Sequence, residues 1–230
     1  MERPIFFVDH LPENIITLNE DTSKHVVQVL RMKPGEQLHL TDGAGSLLTA
    51  EIIDDHKKKC TVGIIDKDFQ PQKERKISIA ISLVKNNSRF EWFLEKATEI
   101  GVTEIIPLLC ARTEKQHFRL DRMKQILISA MMQSKQVWLP VLLEPVSFDK
   151  VCSTSNDQTK LIAHCMEDHK QDISAYRQKN SVQILLGPEG DFTHEEIQMA
   201  IEFGYIPVTL GVTRLRTETA GIVAAALLSI

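Results

Sequence analysis

The run 77–84, Ile-Ser-Ile-Ala-Ile-Ser-Leu-Val, most narrows what this chain can become. It is apolar apart from two serines. A strand that alternates apolar with polar residues shows one face to water, whereas this pattern fits a strand covered on both faces, as in a parallel sheet between helices. The residues after it support that reading. Ser88 and Glu91 have capping-box spacing for a helix to Ile100, with Phe93, Ala97 and Ile100 on one face and Gly101 as its stop. A strand over 104–109, a long helix over 121–137 and a short strand over 161–163 come next. A polar helix over 172–178 and a strand over 182–186 complete the series. Strands alternating with helices predict an α/β domain with a mostly parallel sheet.

Before this run the pattern differs. Residues 5–8 predict a strand. Thr22 or Ser23 can cap a short helix whose apolar positions are Val26, Val27, Val29 and Leu30. Pro34-Gly35 signals a turn, and residues 36–41 alternate as a half-buried strand does. Asp42-Gly43-Ala44-Gly45 is a hairpin loop, 47–53 its returning strand, Lys57-Lys58-Lys59 a charged turn and 60–65 another strand. Short strands this close together predict a small β-barrel. The polar stretch 67–76 reads as a linker. Two domains are expected, at 1–70 and 77–230.

The net charge of -4 gives no global basic field, so contact with nucleic acid would need a local patch. Residues 112–124 form the densest one, with Arg112, Lys115, Arg119, Arg122 and Lys124 around Phe118; Lys85 and Arg89 can join it. Cys60, Cys110, Cys152 and Cys165 form no C-x-x-C pair and read as reduced, mostly buried thiols. His164-Cys165 with His169 fits no zinc spacing, so no metal is expected. Met1-Glu2-Arg3-Pro4 does not begin as a signal peptide does, and no apolar run approaches a membrane span. A cytoplasmic protein is expected.

The candidate site lies in the last third of the chain. Residues 182–186 end in Gly187-Pro188-Glu189-Gly190, and Thr193 with Glu196 forms a capping box for a helix stopping at Gly204. A strand over 206–210 ends at Gly211, and Arg216-Thr217-Glu218-Thr219 opens the last helix. Three strand or loop exits thus converge where open α/β sheets bind ligands. The glycine loop is neither G-x-G-x-x-G nor a G-K-[ST] phosphate loop. Its glycines let backbone groups come close to a ligand. Arg216 is a cation at a helix start, where the dipole disfavours it.

These pieces, in order, resemble the SPOUT (trefoil-knot) RNA methyltransferases, and more closely the ribosomal RNA small subunit methyltransferase E family. The resemblance rests on Lys85 with Arg89, Lys96-Ala97-Thr98-Glu99-Ile100-Gly101-Val102 with Pro107, and Arg112-Thr113-Glu114. Gln133-Ser134, Leu139-Pro140, the glycine loop, Leu210-Gly211 and Leu215-Arg216-Thr217-Glu218-Thr219-Ala220 continue it. Val29-Leu30-Arg31-Met32 and Asp42-Gly43 resemble that family's PUA-like domain. Departures are Asp191 where the family usually has a third glycine, Met132 and Lys135 for Glu and Arg, and Thr213 for an arginine.

The resemblance implies a trefoil-knotted parallel-sheet domain behind a PUA-like β-barrel, and a homodimer. It implies S-adenosylmethionine as cofactor and methylation of N3 of a uridine in 16S rRNA of the assembled small subunit. Leu186, Gly187, Glu189, Gly190, Leu210, Gly211, Leu215 and Thr217 would then shape the cofactor pocket. Arg216 would stabilise or orient the uracil and Glu218 accept its proton, while Arg3, Arg31, Lys85, Arg89 and Arg112 would contact RNA. Two readings remain beside this one: a non-enzymatic RNA-binding assembly factor, and a methyltransferase of this fold acting on transfer RNA.

Overall fold

The structure is a computed structural model that describes residues 3–11, 13–114, 117–166 and 169–229. It divides into two compact units: Met1–Gln72 with Met131–Leu139, and Lys73–Ala130 with Pro140–Ile230.

The first unit is a five-stranded sheet. Its strands β1 (Ile5–Phe7), β2 (Ile15–Thr17), β3 (Gln37–Thr41), β4 (Ser46–Asp54) and β5 (Thr61–Phe69) lie in the order β1-β3-β4-β5-β2. Among the described residues only the β1–β3 pairing is parallel. Among the described residues β1 and β2 do not pair, so the sheet is a half-barrel. Alternate residues Leu38, Leu40, Leu48, Ala50, Ile52 and Val62 face its core. The hairpin glycines are required: at Gly45, φ is +99° and an added Cβ would lie 2.6 Å from the Trp138 ring.

Three local expectations change here. The short helix α1 (Glu20–Lys24) is capped by Asn19, which accepts from the Thr22 amide at 2.8 Å. Ser23 is buried instead, donating to the Leu18 carbonyl and accepting from the Cys60 amide. The helix continues as a π-helical turn, His25–Val29, which buries Val26 and leaves Val29 and Leu30 exposed. Strand β5 runs to Phe69, into the stretch read as linker. Its side chains from Ile65 onward are exposed while its backbone pairs with β4, so polar composition there marks an open face.

The second unit holds a parallel sheet. Its strands are β6 (Lys76–Ser82), β7 (Glu104–Leu109), β8 (Val141–Leu142), β9 (Val146–Ser147), β10 (Thr159–Ala163), β11 (Gln171–Asp172), β12 (Ser181–Leu186) and β13 (Ile206–Thr209). The order is β11-β13-β10-β12-β6-β7-β8, with β9 also on β7, and every pairing is parallel. Ile77, Ile79, Ala80 and Ile81 are all buried, as a strand covered on both faces requires.

The helices are α2 (Asn87–Ile100), α3 (Leu120–Gln133), α4 (Phe148–Thr154), α5 (His194–Glu202) and α6 (Thr217–Ser229). Packed against β6, β12 and α2 is α6. On the other face, Phe148, Val151, Phe192 and Ile197 close over Ala80, Leu108 and Leu185. Among the described residues no helix is long and apolar enough to cross a membrane.

Several expectations are corrected in this unit. Asn86, not Ser88, caps α2, accepting from the Ser88 amide at 2.9 Å, and Glu91 instead holds Arg122. Helix α3 ends at Gln133 rather than 137. The polar helix expected over 172–178 is a short 3₁₀ turn, Ile173–Tyr176. Helix α6 starts at Thr217, one residue after Arg216.

Candidate active site

Strand β12 is inserted between β6 and β10, and β13 lies on the far side of β10. Register brings the exits level: Ala163 stands opposite Leu186 on one side and Val208 on the other. The loops leaving these carboxyl ends enclose a cavity of about 670 Å³. That is within the ordinary range for a small-molecule site, about 300–1,000 Å³. Its walls are Leu186 to Glu189, Leu210 to Leu215, and Arg216-Thr217 at the start of α6. His164 and Cys165, which come after β10, also line it.

The glycine loop is fastened from four directions. Thr217 Oγ1 donates to the Gly187 carbonyl at 2.9 Å, joining the start of α6 to the exit of β12. The Cys165 amide donates to Asp191 Oδ2 at 2.8 Å, joining the exit of β10. Arg112, after β7, donates to the carbonyls of Gly190 at 2.7 Å and Phe192 at 3.3 Å. The Lys85 amide, after β6, donates to Glu189 Oε1 at 3.2 Å. The loop therefore presents a fixed backbone surface.

Local sequence explains this geometry. Asp191 has φ +63°, a left-handed conformation that aspartate tolerates better than most residues. Its other carboxylate oxygen accepts from the Phe192 amide at 2.8 Å, so its side chain closes the turn a third glycine would only permit. At Gly187 an added Cβ would lie 3.1 Å from the Phe192 ring and amide, and Phe192 is fully buried against Phe148. Beyond the loop, the expected capping box is present. Thr193 Oγ1 accepts from the Glu196 amide, and the Thr193 amide donates to Glu196 Oε2. The second oxygen of Glu196 accepts from the Ala111 amide at 2.8 Å, adding the β7 exit to the same framework.

Of the residues named from sequence for the pocket, Leu186, Gly187, Glu189, Leu210, Gly211, Leu215 and Thr217 line the cavity. Gly190 does not; its carbonyl faces Arg112. Arg216 lines the cavity, whereas Glu218 lies on a second, open groove of about 600 Å³. Ser88, Arg89 and Trp92 from α2 line this groove, with Arg214, Leu215, Arg216, Glu218 and Thr219. Glu218 is 5% exposed. Its Oε1 lies 3.7 Å from Arg89 Nε, and its Oε2 has no hydrogen-bond partner among the described residues.

Part of the basic patch is engaged within the protein, while Arg119 and Lys124 are exposed. Lys85 holds Glu114 at 2.8 Å, which raises the Lys85 pKa. Arg122 holds Glu91, and Arg112 holds the glycine loop. Lys115 lies outside the described residues. In the first unit Arg3 and Arg31 are exposed, and Arg31 takes a left-handed backbone at φ +57°. Burial lowers the His39 pKa, and the Arg3 charge adds to this. Trp92 and Arg214 as groove residues, and Glu196 and Asp191 as ties, were not expected from sequence. A tryptophan within an amphipathic helix was the available signal for the first.

Comparison with known proteins agrees with this geometry. The RNA methyltransferase domain matches residues 71–229, and the RNA methyltransferase PUA domain matches residues 18–65. Ribosomal RNA small subunit methyltransferase E of Synechocystis is 30% identical over 226 residues, covering 95% of this chain and 74% of that protein. The crystal structure of a probable rRNA-methyltransferase from Porphyromonas gingivalis superposes with a TM-score of 0.90 at 37% identity, covering 96% of this chain and 95% of the other. Ribosomal RNA small subunit methyltransferase E of Neisseria gonorrhoeae, bound to S-adenosyl methionine, superposes with a TM-score of 0.87 at 29% identity, covering 98% and 96%.

Proposed function

The chain belongs to the ribosomal RNA small subunit methyltransferase E family, and from that premise we propose that it methylates N3 of a uridine in 16S rRNA, using S-adenosylmethionine. The observation that carries this reading is the cavity at the carboxyl ends of β10, β12 and β13, walled by the fastened glycine loop and the start of α6. S-adenosylmethionine when bound supplies a methyl group on a cationic sulfur, already activated for in-line displacement.

The residues present fit that group. The glycine loop and 209–211 bring main-chain amides and carbonyls to the cavity without a crowding side chain at Gly187 or Gly211, where φ is +134°. Such groups can read a purine edge. Leu186, Leu210 and Leu215 supply apolar walls for its faces. Leu186, Gly187, Glu189, Leu210, Gly211, Leu215 and Thr217 would hold the cofactor. Gly190 would act through the Arg112 contact that fixes the loop.

Uridine N3 carries a proton, which must leave as the N3–methyl bond forms. Arg216 borders both cavity and groove, so its guanidinium can face the negative charge on the uracil oxygens. Glu218, beside it in the groove, is the carboxylate placed to accept the N3 proton. Positioning supplies much of the rate, because the donor is already activated.

The first domain, 1–70, is proposed as a PUA-like RNA-binding module and 77–230 as the methyltransferase domain, its C-terminal chain threaded as a trefoil knot. Arg3, Arg31, Lys85, Arg89 and Arg112 are proposed to contact RNA. A homodimer in the cytoplasm is proposed as the working form. Helix α6 supports it, since Val223, Ala226 and Leu227 leave an apolar strip partly uncovered. Labelled S-adenosylmethionine incubated with unmodified small subunits tests the reading: label should appear on one 16S uridine and be lost in Arg216→Ala.

A further inference from the structure

We infer that the groove between α2 and the start of α6 is the seat of the target base, with Trp92 as its stacking plate and the row Arg89, Glu218, Arg216 as its reader of uracil against cytosine. This rests on the proposed methylation of uridine and names the subsite in which it occurs.

N3 lies on the Watson–Crick edge of uracil, between two carbonyls, so a base stacked and paired in a helix cannot present it. A protein acting there must hold the base unstacked, usually on an aromatic or guanidinium plane, and read its edge by hydrogen bonds. The groove supplies each part. Trp92 is 45% exposed on α2, although tryptophan is a large apolar residue. Arg214 and Arg216 line the same groove, and among the described residues neither guanidinium has a hydrogen bond or ion pair. Glu218 forms part of its wall, nine-tenths buried, with one carboxylate oxygen lacking a partner. An unsatisfied buried carboxylate oxygen is costly, and an incoming N–H donor removes that cost.

Charge order gives the specificity. The uracil edge reads acceptor, donor, acceptor, through O4, N3–H and O2. In the proposed row, the Glu218 carboxylate with a guanidinium to either side of the base edge would read donor, acceptor, donor. Glu218 has Arg89 at 3.7 Å and shares the groove with Arg216. Cytosine presents an amino donor and an unprotonated N3, which would face a guanidinium and the carboxylate respectively. The methyl group also has a path. Arg214, Leu215 and Arg216 line both the groove and the larger cavity, so they are the shared wall across which the two ligands meet.

Two readouts test this, one independent of turnover. Uridine 5′-monophosphate should quench tryptophan fluorescence saturably in the parent protein, cytidine 5′-monophosphate should do so at least fivefold more weakly, and the signal should vanish in Trp92→Phe. Absence of quenching, or equal response to the two nucleotides, would overturn the base seat even if methylation of small subunits proceeds. In the methylation assay Trp92→Ala should lower kcat/KM about ten- to a hundredfold, the scale of one lost base stack. S-adenosylmethionine affinity should be unchanged, and Trp92→Phe should recover most of the loss. Equal activity of parent and Trp92→Ala would sink the proposal. If the parent labels no small subunit but the nucleotide quench holds, the assigned RNA target fails and the uracil seat stands.

Discussion

Thr217 Oγ1 donates a hydrogen bond to the Gly187 carbonyl at 2.9 Å, and through it the last helix is anchored to the loop that leaves β12. Two segments thirty residues apart thereby become opposite walls of one cavity. Thr217→Val removes the donor while keeping the shape. S-adenosylmethionine affinity measured by calorimetry should fall about fivefold, the equivalent of one neutral hydrogen bond of about 1 kcal/mol. Thr217→Ser should retain parent affinity.

Asp191 offers a second test, because its left-handed backbone and its side-chain bonds act in opposite directions. Glycine at this position removes the backbone cost but also the ties to the Cys165 and Phe192 amides. Alanine loses the ties and keeps the cost. Chemical denaturation should place Asp191→Ala about 1–2 kcal/mol below Asp191→Gly, given a cost of about 1–2 kcal/mol for a left-handed residue with a Cβ. Equal stabilities would refute the assigned division.

Gly221 sets two effects against each other. Alanine gains about 1 kcal/mol of helix propensity. Its Cβ, however, would stand 2.5 Å from the Phe93 ring and 2.9 Å from Ile81. Overpacking of this kind costs about 1–3 kcal/mol, so Gly221→Ala should be destabilising in urea unfolding and should loosen the packing of α6 on α2.

The capping box at Thr193 and Glu196, the stop at Gly101 and the strand at 104–109 were legible because each depends on neighbours in sequence. The fastening of the glycine loop was not. Its partners at Lys85, Arg112, Cys165 and Thr217 are brought in by the order of a parallel sheet, which no local pattern encodes. Ser88 and Glu91 imitate a capping box two residues after Asn86, the cap in the structure; Glu91 is drawn off to Arg122 instead. Strands β8, β9 and β11 and helix α4 are too short to show a period. Glycines and turn chemistry mark where the pocket lies; its individual residues follow from the family resemblance. Glu218 was legible as a polar residue at a helix start, but only the packing of α2 reveals that it faces a separate groove.

Thiols report on both stability and cavity. Burial pushes Cys110 and Cys152 up, Cys152 to about 12, and burial raises Tyr205 as well. Folded pKa values above the unfolded ones mean that the stabilisation is complete below about pH 8.5 and is lost as pH climbs toward 12. The denaturation midpoint should therefore fall with rising pH above about 9; a rise there would contradict the assignment. At neutral pH the exposed Cys165, on the cavity wall, should react with a thiol reagent while buried Cys60, Cys110 and Cys152 do not. Bound S-adenosylmethionine should slow that reaction.

The most direct measurement tracks a labelled methyl group. The protein is incubated with labelled S-adenosylmethionine, small ribosomal subunits lacking the modification, and transfer RNA as competitor, and the product is mapped by mass. One N3-methyluridine in 16S rRNA is expected, absent with Arg216→Ala. Label in transfer RNA, on another atom of the base, or in neither RNA would contradict the assigned function.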